Sequence, residues 1–197
     1  MNTPNKLTLA RMIATPIFMA TMLINFPYHY AVSLVLFALA SLTDMIDGKM
    51  ARKYNLVTDF GKFLDPLADK MLTTSAYLGF MFLYSAQGGA YGWQITTIVF
   101  IVLFREFMVS SLRLVTAKSG LVVAANIWGK LKTVTQMIAI TLAFIDVNGF
   151  FAFIGTKLTG FGLVLNVTAS VIMLISVVAT IFSGIDYIKG GKDLLKD

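Results

Sequence analysis

Four aspartates, Asp44, Asp47, Asp65 and Asp69, fall within the stretch DMIDGKMARKYNLVTDFGKFLDPLAD at spacings of three, eighteen and four residues. Side chains three or four positions apart share one face of a helix. Asp44 and Asp47 are therefore expected to point one way from the end of one helix, and Asp65 and Asp69 one way from the start of the next. Gly48, Asn55 and Gly61 lie in the expected connection, and Pro66 is placed to open the second helix. Four like charges sharing one volume repel unless cations sit among them, and hard oxygen ligands suit Mg2+ or Mn2+. A pair of such ions serves displacement at phosphorus, because both the attacking and the leaving oxygen need charge stabilisation. The competing reading, that aspartates simply cap helices or sit in solvated loops, accounts for one such residue better than for four at this spacing.

The elements that hold these residues are membrane helices. The chain of 197 residues is 57% hydrophobic and only 13% charged, with a mean hydropathy of +0.80. A soluble domain carries roughly a quarter charged residues. Segments near the twenty apolar residues that a span requires are expected at Leu7–Ile24, His29–Asp47, Asp65–Tyr84, Ile95–Thr116, Gly129–Ile145 and Phe161–Ile185. All but Lys157 of the 16 Lys and Arg residues then fall at the amino end, around the second and fourth connections, or at the carboxyl end. The positive-inside rule reads this as six spans with both termini cytoplasmic.

A single transmembrane domain over residues 1–197 is expected, since no soluble linker or fixed-period repeat interrupts the chain. Residues Met1–Lys6 are polar and the apolar run after them lacks a small-residue cleavage site, so the first segment is expected to be retained. With no cysteine, disulfides and thiolate zinc sites are excluded. The net charge of +6 does not imply nucleic acid, because the basic residues alternate with long apolar runs. A cytoplasmic membrane face and a polyanionic substrate account for it.

Written as Asp44-x2-Asp47-Gly48-x2-Ala51-Arg52-x8-Gly61-x3-Asp65-x3-Asp69, the central stretch resembles the signature of the CDP-alcohol phosphotransferase family. These integral membrane enzymes join an alcohol to a phosphatidyl or similar group with release of CMP. The resemblance implies that Asp44, Asp47 and Asp65 are the main metal ligands, that Asp69 contributes to one metal and serves as general base, and that Gly48, Arg52 and Thr58 contact the CDP group. Asp59 lies outside the signature and reads as a loop or capping residue. At the amino end, Pro4-Asn5-x-Leu7-Thr8-x2-Arg11 looks like the segment found in the phosphatidylglycerophosphate synthase branch. On residue type alone Pro4-Asn5 favours a turn and Thr8 a helix cap; the resemblance makes Asn5 and Thr8 nucleotide contacts.

A second constellation, FREFMVSSLRLVTAKSG followed by NIWGKLKTVTQ, places Arg105, Glu106, Arg113, Lys130 and Lys132 in otherwise apolar helices. Ionisable groups there are costly and usually face a partner or an aqueous cavity. Snorkelling accounts for Lys118, Lys130 and Lys132 near expected helix ends, whereas Arg105 and Glu106 are suited to neutralising neighbours. Arg113 lies deeper, and with Arg105 and the two lysines it suits an acceptor that carries its own phosphate. Arg105-Glu106-Phe107, Arg113 and Gly129-Lys130-x-Lys132-Thr133 are also similar to the phosphatidylglycerophosphate synthase branch.

The implied reaction is CDP-diacylglycerol plus sn-glycerol 3-phosphate giving phosphatidylglycerophosphate and CMP, with two Mg2+ or Mn2+ ions per site. The implied setting is the plasma membrane of a bacterium, with the site facing the cytoplasm and a homodimer formed through membrane helices. Inositol phosphate, serine or phosphatidylglycerol as acceptor is the alternative within the family. A cation transporter is the alternative outside it, since intramembrane carboxylates also mark ion paths. A non-enzymatic scaffold leaves the four-aspartate spacing without a reason.

Overall fold

The computed structural model describes residues 2–53, 58–85, 89–118, 127–145 and 160–190, at some helical positions by backbone alone. Six helices and no strand occur among them: α1 Thr3–Leu23, α2 His29–Lys53, α3 Asp59–Ser85, α4 Gly89–Lys118, α5 Ile127–Ile145 and α6 Phe161–Gly190. Each expected span thus has its helix, in the expected order.

The helix starts differ from expectation for identifiable reasons. Asn2 accepts a bond from Asn5 N at 3.2 Å and so caps α1. Pro4 then sits in the first turn, where its missing N–H costs nothing. The Pro4-Asn5 pair is therefore helical rather than a turn, and Thr8 is not a cap: its hydroxyl donates backwards to Pro4 O at 3.1 Å. Likewise α3 opens six residues before Asp65, because Thr58 Oγ1 accepts from Gly61 N at 3.0 Å and supplies the cap. Pro66 lies inside α3 instead of opening it.

The chain divides into two compact units, residues 1–83 and 84–197. In the first, α1 and α2 are antiparallel: Phe18 meets Phe37 with ring centroids 5.9 Å apart, Thr21 Oγ1 lies 3.0 Å from Ser33 Oγ, and Arg11 reaches Asp44. Helix α3 runs parallel to α1, since Gly61 abuts Asn5 and Gly79 abuts Met22. In the second unit α6 packs against both α4 and α5. Trp128 stacks on Phe182 at 5.1 Å, and Gln136 Nε2 reaches Thr180 Oγ1 at 3.5 Å.

Polar side chains share the core with apolar ones, and many large apolar side chains face outward. Ser33, Asn166, Ser170, Ser176, Thr180 and Ser183 are buried, while Ile13, Ile17, Phe100, Phe104 and Val164 face outward. Small and hydroxyl-bearing residues let helices approach where lipid, not water, surrounds them. Three helical stretches, Thr3–Leu23, Gly92–Arg113 and Phe161–Gly190, are long and apolar enough to cross a membrane, and His29–Asp44 is a shorter apolar helix. In α3 the apolar run begins only after Lys70, and α5 carries Lys130 and Lys132 near its start. The chain is an all-helical membrane protein.

Candidate active site

Asp44 and Asp47 lie in the C-terminal half of α2, and Asp65 and Asp69 lie near the start of α3. Helical backbone at both pairs keeps the spacing that the one-face argument requires. The side chains of Asp47, Gly48, Arg52, Asp65 and Asp69 fall outside the described residues. The carboxylate of Asp44 is described, and it forms an ion pair with Arg11 Nη1. Arg11 is 3% exposed. A buried guanidinium at this point places positive charge against Asp44, the one carboxylate of the four whose side chain is described.

Asn5 and Thr58, both expected at the nucleotide, are brought together although 53 positions separate them. Asn5 Nδ2 donates to Thr58 Oγ1 at 2.8 Å, and the same hydroxyl oxygen caps α3 through Gly61 N. The knot fastens the start of α1 to the start of α3. Gly61 is required there, because a Cβ would stand 2.7 Å from Asn5 Oδ1 and 3.2 Å from Thr58 Oγ1. Thr8 is buried beneath this corner.

The second unit gathers the basic residues. Lys132 is buried rather than snorkelling, and its Nζ pairs with Glu106 Oε1. Arg105 is also buried; its Nη1 lies 3.3 Å from the same oxygen and its Nη2 donates to Ser183 Oγ. Arg113 donates to the hydroxyl of Tyr187. The guanidinium carbons of Arg113 and Arg105 stand 5.1 Å and 5.6 Å from the centroid of that one ring. Lys130 is exposed on α5. Arg105, Arg113 and Lys132 therefore share one end of the unit, with Glu106 as the carboxylate among them. Sequence reasoning passed over Ser183 and Tyr187. Their signal is a stripe: Ser176, Thr180, Ser183 and Tyr187 repeat at helical spacing along α6, and all four are buried.

Known proteins are similar to this chain over most of its length. The CDP-alcohol phosphatidyltransferase family model matches residues 1–182. A Bacillus subtilis (strain 168) protein named CDP-diacylglycerol–glycerol-3-phosphate 3-phosphatidyltransferase is 45% identical over 152 residues, covering 71% of this chain and 75% of its own. A Rickettsia bellii protein of the same name is 37% identical over 191 residues, covering 97% and 96%. A third of that name, from Salmonella paratyphi A, is 38% identical over 141 residues, covering 71% and 74%. The aspartate spacing on α2 and α3 and the length of these matches lead to one assignment: the chain belongs to the CDP-alcohol phosphatidyltransferase family.

Proposed function

We propose that this protein transfers the phosphatidyl group of CDP-diacylglycerol to sn-glycerol 3-phosphate, giving phosphatidylglycerophosphate and CMP. The observation that carries the acceptor assignment is the name shared by relatives that align over most of the chain at 37–45% identity. The cluster of Arg105, Arg113 and Lys132, with Lys130 two residues from Lys132 on α5, supports it, because it concentrates cations at one end of the unit. An acceptor that brings its own phosphate needs such cations.

Asp44, Asp47, Asp65 and Asp69 would hold the divalent ions, Mg2+ or Mn2+ and two per site. The oxygen-only donor set fits them, and the buried Arg11 against Asp44 marks a place that calls for positive charge. When bound, such ions supply charge to the diphosphate and to the departing CMP. Gly48, Arg52 and Thr58, with Asn5 and Thr8 at the amino end, form the nucleotide side. Arg113 and Lys130, backed by Arg105 and Lys132, hold the acceptor phosphate so that its free hydroxyl faces the phosphatidyl phosphorus. The hydroxyl oxygen forms the new bond to phosphorus as the pyrophosphate bond breaks. Its proton passes to the Asp69 carboxylate, late in the displacement because a carboxylate is a weak base for an alcohol. Six spans with both termini cytoplasmic in a bacterial plasma membrane, and a homodimer, complete the reading.

An acceptor panel tests it. Protein in detergent micelles with CDP-diacylglycerol and Mg2+ should form radiolabelled lipid and release CMP with glycerol 3-phosphate, and EDTA should abolish both. Product from inositol phosphate, serine or phosphatidylglycerol, and none from glycerol 3-phosphate, would replace the acceptor. Asp69→Asn should still bind CDP-diacylglycerol while turnover falls by about 10²- to 10⁴-fold. An active Asp69→Asn enzyme would remove the base assignment.

A further inference from the structure

The basic residues of the second unit are held in two different ways. Arg105 and Lys132 meet a carboxylate, Glu106, and Arg105 also meets Ser183. Arg113 is held by Tyr187 alone among the described residues, through the phenol oxygen and through the face of the ring. Tyr187 is 3% exposed, whereas Arg113 is exposed. A guanidinium offers five N–H donors in a fixed fork. One neutral hydroxyl and one aromatic face fix its plane and leave its charge and most of its donors available. A carboxylate in the same place would compete with an incoming anion.

The geometry points to Tyr187 as a positioning residue that sets Arg113 for the phosphate of the acceptor. This rests on the reading of Arg113 as an acceptor-phosphate residue. The ring also lies against Arg105, so one buried aromatic fixes two like charges eight residues apart on α4. Ser183, one turn earlier on α6, holds the second guanidinium.

Tyr187→Phe keeps the ring and removes the hydroxyl; Tyr187→Leu removes both. The KM for glycerol 3-phosphate should rise in the order wild type, Phe, Leu, by about three- to tenfold and then about ten- to a hundredfold, taking each lost contact as worth up to one decade. The KM for CDP-diacylglycerol and kcat should stay within about twofold, a split that general loosening of the fold would not produce. Arg113→Ala should raise the same KM, and Tyr187→Phe added to it should raise it no further. If Tyr187→Phe, the conservative variant, left the acceptor KM unchanged, or raised both KM values alike, the assignment would fail. Should the wild-type protein use another phosphorylated acceptor, the functional reading fails and Tyr187 is judged by the same split on that acceptor. A wild-type preference for an acceptor without phosphate overturns both.

Discussion

Arg11 and Asp44 form an ion pair in which the cation is 3% exposed and the carboxylate side chain 37% exposed. Desolvating a guanidinium is costly unless it is paired, so its burial is tied to the acidic stretch beside it. On the proposed metal site, Arg11→Gln removes the cation paired with Asp44 and would leave the four carboxylates to repel one another when no metal is bound. Without divalent ions the variant should lose about 1.5 to 3 kcal/mol of stability, nearer the lower figure because Asp44 is partly solvated. Added Mg2+ should then raise its unfolding temperature by more than it raises that of the wild type. Thermal unfolding in detergent with EDTA or Mg2+ measures this; an equal metal-induced shift in both proteins would separate Arg11 from the metal-site carboxylates. The four aspartates stand out in the sequence because unusual residue types sit close together in the chain, and the structure adds Arg11 as the partner of Asp44. Lys132 does not, since a lysine near a helix end reads as snorkelling until its partner Glu106, on another helix, is seen. Tyr187 was hidden for the same reason: a tyrosine on an apolar helix looks like packing until Arg113 is placed over it.

At the scale of elements, the length of the apolar runs located the six described helices but not their ends. Apolar runs stop where the charged residues begin, whereas helices continue until backbone donors and acceptors find other partners. Thr58 therefore starts α3 at Asp59 although the apolar run begins after Lys70. Helix proximity was also invisible. Gly79 of α3 lies so close to α1 that a Cβ would collide with Sδ of Met22, whose fully buried side chain would have to repack. Gly79→Ala gains about 0.5 to 1 kcal/mol in helix propensity but overpacks the contact at a cost of about 1 to 3 kcal/mol. The net expectation is a loss near 1 kcal/mol. In a Met22→Ala background the collision is gone and only the propensity gain remains, so Gly79→Ala should there be neutral or stabilising. Chemical denaturation of the four proteins of this cycle decides it, and simple additivity would show that α1 and α3 do not meet at this point.

For the whole molecule, each unit separately gathers its described basic residues at one end. In the first, Lys6, Arg11, Asp44 and Thr58 gather at one end through the Asn5–Thr58 and Arg11–Asp44 contacts, and the segment from Ile24 to Tyr28 turns at the other. In the second, the Lys132–Glu106 and Arg113–Tyr187 contacts bring the last half of α4, the first turns of α5 and the last turns of α6 to one end, with Lys189 beside them. Lysine and arginine are retained on the cytoplasmic side of a bilayer, so both charged ends should face the cytoplasm and the Tyr28 turn should face out. The chain contains no cysteine, which makes introduced thiols free of background. Tyr28→Cys replaces a side chain 84% exposed in a turn, and Lys192→Cys lies beyond the end of α6. A membrane-impermeant maleimide applied to spheroplasts should label Tyr28→Cys at once and Lys192→Cys only after the membrane is opened. Labelling of both from the outside would give an even number of crossings between them, and it would place the carboxyl-terminal basic cluster on the outer surface, away from a cytoplasmic pool of phosphorylated acceptor.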